Sequence, residues 1–303
     1  MENKKPRVAV IGYGQVGKFA LQAIASSPDL ELAGVVRRKE SLEAELPAEL
    51  KEVAVTSDLE ELKPVEAALL AVPTRVVPGL AQGLLEKGIN TVDSYDLHSE
   101  IKGHRRRLNS AGKKGGAAAV VAAGWDPGTN SLVRALMETM APQGLTFTNF
   151  GPGLSLGHST AVRSMPGVQD ALAFTIPQGA GLHRRLVYVE LEEGAALETV
   201  RRQVQADSYF RNDETHVYQV SSVDSLRDLG HGALLERRGT SGRTGNQVFR
   251  WEMRINNPAL TSQIMVAAVR AGFKQAPGAY TLLEIPLIDY LHGDCEELIQ
   301  RLV

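Results

Sequence analysis

Three glycines near the start of the chain, placed between an apolar run and an amphipathic segment, constrain the fold most strongly. Residues 8–11 are apolar and mostly β-branched, and Gly12, Gly14 and Gly17 follow them with G-x-G-x-x-G spacing. In a βαβ unit the first glycine permits a tight turn, the second lets the backbone approach a pyrophosphate, and the third lets the helix pack on the strand. The N-terminal amides of that helix favour phosphate. The pattern predicts a dinucleotide-binding unit of the Rossmann type.

The end of the next apolar run indicates which dinucleotide binds. The run 30–36 ends where an NAD enzyme usually has an acidic residue that binds the ribose 2′-hydroxyl, and here Arg37, Arg38 and Lys39 follow. Arginines form charge-assisted, partly bidentate hydrogen bonds with a 2′-phosphate, whereas a hydroxyl offers them little. The cluster therefore predicts NADP as the cofactor, although Lys39 can also be a solvated strand end.

Composition limits the class of protein. At 303 residues the chain is longer than an average domain, so we expect two units with separate cores. A formal net charge of −2 argues against a nucleic-acid partner and against a membrane-surface protein. The single cysteine, Cys295, excludes an intramolecular disulfide framework, and no pattern supports a metal site. The short charged N-terminal segment lacks the features of a signal peptide or membrane span, so we expect a cytoplasmic protein.

Short apolar strands alternate with helices as far as residue 124, which is typical of a doubly wound parallel sheet. After the first βαβ unit, strands are predicted at 67–72, 89–92 and 117–123, and helices at 76–87 and 100–113. The basic run 104–107 in the second of these helices is interpreted as a solvated face.

After residue 124 the runs become longer and compatible with antiparallel pairing, which predicts an α+β domain. Strands are predicted at 145–150, 186–191, 215–220 and 247–255, helices at 130–140, 197–206 and from Asn257, and glycine-rich turns at 230–232 and 239–245, the latter as a hairpin tip. We therefore predict an α/β protein with a dinucleotide-binding domain at 1–124 and an α+β domain for substrate binding and oligomerisation at 125–269. The segment 270–303 is expected to pack back on the first domain.

Two carboxylates follow predicted strands of the first domain. Because the carboxyl ends of parallel strands meet at one edge of a sheet, Asp96 and Asp126 can lie together beside the cofactor. Such a pair can hold a substrate ammonium group and activate a water for attack on an imine. Asp126 can equally cap a helix that begins at Pro127, and Trp125 can be an apolar wall of the site or part of the core.

The segment 150–159 contains three glycines and a proline. Glycine tolerates positive φ, so this backbone is suited to close approach, as in a substrate clamp. A plain interdomain linker fits the same composition. Ser159 is a possible cap of the next helix.

A third polar set comprises Arg184 and Arg185 before a predicted strand, His231 between glycines, and Asn257 at a helix start. An arginine, a histidine and an amide together suit a carboxylate-bearing substrate. Each residue taken alone also fits a surface or capping role.

Five segments resemble the meso-diaminopimelate dehydrogenase family. They are Gly-Tyr-Gly-Gln-Val-Gly at 12–17, Val-Asp-Ser-Tyr-Asp at 92–96, Gly-Trp-Asp-Pro-Gly at 124–128, Phe-Gly-Pro-Gly-Leu-Ser-Leu-Gly-His-Ser at 150–159 and Pro-Gly-Val-Gln-Asp-Ala at 166–171. The resemblance extends over nearly the whole chain. It implies a homo-oligomer, a dimer or larger, that carries out a reaction of lysine biosynthesis. In this reversible, NADP-dependent oxidative deamination, the D-centre of meso-2,6-diaminopimelate gives L-2-amino-6-oxopimelate, ammonia and NADPH.

The resemblance also implies roles for residues at matching positions. Cofactor contacts are expected from Gly12, Tyr13, Gly14, Gln15, Val16, Gly17, Arg37, Arg38, Ala71, Val72, Pro73, Thr74, Ser94, Tyr95 and Asp96. Substrate contacts are expected from Trp125, Phe150, Leu156, Gly157, Thr175, Arg185, His231 and Asn257, with Asp96 and Asp126 as the catalytic residues.

Two positions depart from the best-known members, in which a tryptophan stands at Phe150 and a glutamine at Leu156. The segment between residues 177 and 185 is also shorter here. These departures resemble a subgroup with shorter loops, which implies a substrate range that extends to other D-amino acids.

Two other functions fit parts of the sequence. A dihydrodipicolinate-reductase-like enzyme shares the expected architecture, although the substrate loops do not support it. A non-catalytic NADP-responsive sensor is an alternative from a different class. An assay of NADP reduction distinguishes all of these functions.

Overall fold

The computed structural model describes residues 5–43, 45–227 and 230–303, and it divides into two units. Unit 1 comprises Met1–Leu132 and Pro258–Val303, and unit 2 comprises Val133–Asn257. Both boundaries differ from the predicted ones at 124/125 and 269/270. The reason is packing: Leu132 lies against the core of unit 1, and Met265 is fully buried within that core.

Unit 1 contains the doubly wound parallel sheet that the alternation of strands and helices predicts. In chain order its strands are β1 (Arg7–Ile11), β2 (Glu31–Val36), β3 (Val55–Thr56), β4 (Ala67–Leu70), β5 (Asn90–Asp93), β6 (Ala118–Val120) and the last strand of the chain, β14 (Gly278–Tyr280). They lie in the order β3-β2-β1-β4-β5-β6-β14 with parallel neighbours throughout. The strand order reverses between β1 and β4, and ligands of such sheets bind outside the carboxyl ends of the strands at that point.

Helices pack on both faces of this sheet, which is why β4 is apolar throughout and β1 is apolar after Arg7. The helices are α1 (Gln15–Ala25), α2 (Val77–Leu85), α3 (Ile101–Gly115), α7 (Asn257–Gly272) and α8 (Cys295–Leu302), and α4 (Thr129–Met140) begins in unit 1. Leu69 packs in a cluster with residues of α1 and α7, whereas Ala68 and Leu70 pack with residues of α2 and α3. Successive side chains of a strand point to opposite faces, so the two clusters form two cores.

The solvated face predicted for 104–107 is wrong at its first residue. Arg106 and Arg107 are exposed, but His104 is buried, with 3% of its surface accessible. His104 faces the sheet because it lies four residues before the buried Leu108 on the same side of α3.

Unit 2 is an α+β domain. Its strands are β7 (Gln143–Phe150), β8 (Gly153–Leu154), β9 (Val168–Gly179), β10 (Leu182–Leu191), β11 (Glu214–Gln219), β12 (Gly230–Ser241) and β13 (Thr244–Asn256), and its helices after α4 are α5 (Leu156–Arg163) and α6 (Leu197–Ala206). One sheet has the order β11-β10-β9-β8 and the other β13-β12-β7. All neighbours are antiparallel except β10 and β11.

The turn predicted at 230–232 is wrong, because those residues open β12. Alternate residues of β12 are buried, but His231 and Arg237 are among them, so polar side chains obscure the two-residue period. Arg237 is stabilised there by hydrogen bonds to the carbonyl oxygens of Ala141 and Pro142. The predicted hairpin tip is confirmed, since Ser241 pairs with Thr244 across the turn between β12 and β13.

None of the helices built from the described residues is long and apolar enough to cross a membrane.

Candidate active site

The three fingerprint glycines have different surroundings in the structure. Gly12 has φ +98°, and a Cβ there would lie 2.3 Å from the carbonyl oxygen of Ala71. A Cβ on Gly17 would lie 2.3 Å from the carbonyl oxygen of Gly12, so both positions require glycine for close backbone packing. Apart from its chain neighbours, no atom of the described residues lies within 4 Å of a Cβ added to Gly14, which is the residue before α1. The N-terminus of α1 therefore leaves room beside Gly14 for the backbone to approach a pyrophosphate.

The basic cluster after β2 has one arginine held in place and one exposed. The Arg37 guanidinium lies over the Tyr13 ring, 5.4 Å from its centroid, and the Arg37 amide donates to the Thr56 carbonyl at 2.8 Å. Within the described residues, Nη1 of Arg37 is buried and has no hydrogen-bond partner. Burial, with the Glu49 carboxylate as the acceptor for its hydroxyl, raises the pKa of Tyr13 to about 12, so the hydroxyl stays neutral. A buried guanidinium nitrogen without a partner fits the 2′-phosphate of NADP.

We expect Arg37→Ala to weaken NADP binding by about 1.5 kcal/mol more than NAD binding, because a charge-assisted hydrogen bond to the 2′-phosphate is lost. Titration of both cofactors by fluorescence measures the difference. Lys39→Ala is the matched control, since Lys39 is exposed at the end of the same cluster. Equal losses for NADP and NAD in Arg37→Ala would contradict this location of the 2′-phosphate site.

Residues predicted at the carboxyl ends of three strands lie close together. Thr74, after β4, donates a hydrogen bond from Oγ1 to Oδ1 of Asp96, after β5, at 2.5 Å. A Cβ added to Gly124, after β6, would lie 3.3 Å from Cβ of Ser94. The segment that carries Asp96 is thus adjacent to the one that carries Asp126.

The helix after Asp126 begins later than the capping interpretation requires. α4 starts at Thr129, and the amides of Thr129 and Asn130 donate to the carbonyl oxygens of Gly124 and Trp125 at 3.1 and 3.0 Å. Backbone carbonyls therefore occupy the donors that a capping carboxylate would bind. Asp126 is partly exposed, so a ligand can reach it, whereas Trp125 is buried.

In unit 2 the predicted arginine pair lies within β10, not before it, and the strand separates the two side chains. Arg185 is buried, donates from Nη1 to Oγ1 of Thr175 on β9, and donates from Nε to Oδ2 of Asp213 at 2.7 Å. Arg184 points to the other face and pairs with exposed Glu214 at 3.0 Å. Only Arg185 therefore lies in a polar cluster with other predicted site residues.

Aromatic and imidazole rings surround that cluster. The Phe150 amide donates to Nε2 of His183 at 2.8 Å, and the Phe150 ring lies parallel to the His231 ring with centroids 6.5 Å apart. Burial, reinforced by the charge of Arg185, lowers the pKa of His231 to about 4 and that of His158 to about 3. These imidazoles are neutral at neutral pH, so Arg185 is the cation that can attract a carboxylate.

The glycine-rich segment 150–159 lies inside unit 2, where it joins β7 to β8 and α5, so the linker interpretation is wrong. A Cβ on Gly151 would lie 2.2 Å from the Thr175 carbonyl oxygen, and one on Gly153 would lie 2.4 Å from the Gly230 carbonyl oxygen. The glycines thus allow the segment to pass closely between β9 and β12.

Residues at the end of this segment start α5. Leu156 and Gly157 form its first turn, and Ser155 is the residue before the helix. Ser159 is not a cap: it lies within α5, donates to the Ser155 carbonyl and accepts from the Ala173 amide. Asn257 is the last residue of unit 2 and the first of α7, as predicted.

Comparison with known proteins identifies the family. The Diaminopimelic acid dehydrogenase C-terminal domain family matches residues 124–182, and the Oxidoreductase family with an NAD-binding Rossmann fold matches 6–95. A meso-diaminopimelate D-dehydrogenase of Bacteroides fragilis is 52% identical over 99% of this chain and 100% of its own. The chain belongs to the meso-diaminopimelate dehydrogenase family.

Solved structures agree with this membership. The Corynebacterium glutamicum DAP dehydrogenase in complex with DAP has a TM-score of 0.87 and 28% identity, with 99% of each chain covered. An engineered D-amino acid dehydrogenase bound to NADP+ has a TM-score of 0.89 and 28% identity, with 99% of this chain and 100% of that chain covered.

Several partners of the predicted site residues in this family member were not predicted from the sequence. Asp213 pairs with Arg185, His183 accepts from the Phe150 amide, and His158 lies with Nδ1 2.7 Å from Oγ of Ser155. His158 stands in the 150–159 motif, so a histidine at that position could have indicated a contact with the site. For Asp213 no local pattern exists, because it lies 28 residues from Arg185 in the chain.

The depressed pKa of His231 predicts acid sensitivity of the dehydrogenase fold. The folded pKa of about 4 is below the ordinary 6.5, so between these values the unfolded chain binds the proton and the folded chain does not. The free energy of unfolding should therefore fall as the pH drops from 6.5 towards 4, with at most about 3 kcal/mol lost through His231. Urea unfolding of wild type and His231→Gln across this window measures the effect. The variant should have the flatter pH dependence, and identical slopes would contradict the assignment.

Proposed function

We infer that this chain is a meso-diaminopimelate D-dehydrogenase that uses NADP and removes the amino group of the D-centre of its substrate. The observation that carries this inference is 52% identity to the Bacteroides fragilis enzyme of that name over 99% of this chain. The NADP-bound D-amino acid dehydrogenase of similar structure supports the cofactor, as does the buried Nη1 of Arg37. The products are L-2-amino-6-oxopimelate, ammonia and NADPH, and the reaction is reversible.

Asp96 and Asp126 have the central chemical roles in this proposal. NADP, when bound, supplies the hydride acceptor, and the protein's contribution is to position the reacting groups. The two carboxylates hold the ammonium group of the D-centre, and one of them takes a proton from the water that replaces the nitrogen. Thr74 orients Asp96 through the hydrogen bond at 2.5 Å.

The polar cluster of unit 2 supplies substrate recognition. Arg185, Thr175 and His231 bind a substrate carboxylate, and the neutral state of His231 leaves Arg185 as the charge that attracts it. Phe150 and Leu156 provide apolar surface in place of the tryptophan and the glutamine of the best-known members. A surface of this kind supports oxidation of D-amino acids that lack a second charged end.

One assay tests the proposed function against the alternatives. NADPH formation is followed by absorbance with meso-diaminopimelate, with single-carboxylate D-amino acids and with their L-enantiomers. Turnover of meso-diaminopimelate and of some D-amino acids, but of no L-amino acid, is expected. NADP binding without any turnover would favour a sensor, and NADPH oxidation only with dihydrodipicolinate would favour the reductase.

We also propose a homo-oligomer, a dimer or larger, in the cytoplasm. Leu145 on β7 and Val248 on β13 both align with Arg238 of β12, so they lie on one face of a sheet of unit 2, and they are 66% and 50% exposed. Large apolar side chains grouped on one sheet favour association. Light scattering of the purified protein measures its mass, and a monomer at assay concentration would contradict the proposal.

A further inference from the structure

A buried carboxylate outside the predicted site residues connects the two segments that carry the proposed catalytic aspartates. Asp93, the last residue of β5, is fully buried. Its Oδ1 accepts hydrogen bonds from the backbone amides of Tyr95 and Ala122, each at 3.0 Å. Its carbonyl oxygen accepts another from the Ala123 amide at 2.7 Å. One residue thus binds the backbone that follows β5 and the backbone that follows β6.

The backbone at Ala122 needs such support. Ala122 has φ +55°, in the left-handed region, where the backbone of a residue with a Cβ is strained. Residues persist in this conformation only where surrounding contacts hold them. Both the amide of Ala122 and that of the next residue are bound by Asp93. The strained residue lies where the chain leaves β6 and turns towards Trp125 and Asp126.

The second carboxylate oxygen of Asp93 is bound by His104 of α3. The Nε2 atom lies 3.2 Å from Oδ2, and both side chains are buried. Because an ionised carboxylate only accepts hydrogen bonds, Nε2 carries the proton. The His104 ring stacks on the Tyr95 ring with centroids 4.3 Å apart and an interplanar angle of 20°. Tyr95, the residue before Asp96, is therefore held both by its amide and by its ring.

We propose that Asp93 is a positioning residue of the dehydrogenase, which fixes Asp96 and Asp126 relative to each other, and that His104 orients it. The effects on kcat that follow from this proposal rest on the proposed function. Two carboxylates that hold one ammonium group need a fixed separation, and a displacement of about 1 Å costs on the order of 100-fold in rate. An apolar residue at position 93 would leave the amides of Tyr95 and Ala122 buried without an acceptor, which is unfavourable.

Two substitutions of Asp93 separate positioning from a general loss of stability. Asp93→Ala removes the acceptor of both amides and should lower kcat for meso-diaminopimelate by on the order of 100-fold. Asp93→Asn keeps an oxygen for both amides, and its NH₂ group can donate to the other tautomer of His104. Its kcat should therefore be closer to wild type than to Asp93→Ala. Asp29→Ala is the matched control, since Asp29 pairs with Arg270 in the same unit at 2.7 Å and should affect Tm but not kcat.

Hydrogen exchange of the Tyr95 and Ala122 amides tests the contacts without turnover. Exchange should be faster than in wild type in Asp93→Ala, and close to wild type in Asp93→Asn and Asp29→Ala. A wild-type protein that does not oxidise meso-diaminopimelate would remove the proposed function and leave this measurement valid. Unchanged exchange in Asp93→Ala would overturn the proposal. So would an Asp93→Asn variant whose kcat is as low as that of Asp93→Ala.

If Asp93→Ala does not fold, a substitution of His104 tests the proposal instead. His104→Phe keeps a ring on Tyr95 and removes the donor to Oδ2 of Asp93. We expect a lower kcat and faster exchange at Tyr95. A kcat equal to that of wild type would overturn the role of Asp93 and His104 as a positioning pair.

Discussion

Asp126→Asn should lower kcat for meso-diaminopimelate by about 10²–10⁴-fold, the usual contribution of a positioned acid–base group. The amide has the shape of the carboxylate but carries no negative charge for the substrate ammonium group and cannot take a proton from water. Asp96→Asn should have an effect of the same order, because in the proposed mechanism the two carboxylates hold the same ammonium group.

The same substitution distinguishes catalysis from helix capping. Asparagine caps helices about as well as aspartate, so a residue that only caps should tolerate Asp126→Asn with little change in Tm or kcat. The Kd for NADP, measured by fluorescence, should stay near wild type in the variant because the fingerprint and basic residues are intact. A kcat within a few-fold of wild type would remove Asp126 from the mechanism. Asp294→Asn is the matched control, since Asp294 caps α8 through the Glu296 amide.

The sheet of unit 1 could be predicted because the types of residue in its strands and helices reflect their burial directly. Parallel strands buried on both faces are continuous apolar runs, and the helices between them end at residues such as Gly88 and Gly116, which adopt positive φ. Unit 2 was harder to predict. Its strands β9 and β12 contain residues such as Pro177, His231 and Arg237, whose places in a sheet depend on tertiary partners.

The same distinction applies to the site. The sequence could indicate which residue types stand at strand ends, so Asp96 and Thr74 were both predicted, but not that they hydrogen-bond to each other. Residue patterns alone could not separate Arg184 from Arg185, because strand β10 was predicted to begin only at residue 186, and only the family resemblance selected Arg185. The pairing of Arg185 with Thr175 and Asp213 is formed by strands and loops distant in the chain. Such contacts depend on how the strands are aligned with one another, which a single sequence does not reveal.

Arg185→Met should lower kcat/KM by about 3–4 kcal/mol, or on the order of 10²–10³-fold, because it removes the cation for a substrate carboxylate and leaves Asp213 without its partner. Methionine keeps much of the apolar volume of the arginine stem. Arg184→Met is the matched control on the next residue of the same strand. Its ion pair with Glu214 is exposed, so this change should lower kcat/KM by the equivalent of about 1 kcal/mol or less.

Comparing two substrates shows which end of diaminopimelate Arg185 binds. D-alanine has only the reacting end, whereas diaminopimelate has a carboxylate at each end. Arg185, Thr175 and His231 are the groups proposed to bind the carboxylate at the end that must be aligned for hydride transfer, so we expect similar losses with both substrates. A loss confined to diaminopimelate would place Arg185 at the distal L-centre. Unchanged kinetics with both would place Arg185 outside the site, and its pairing with Asp213 would then serve only the stability of unit 2.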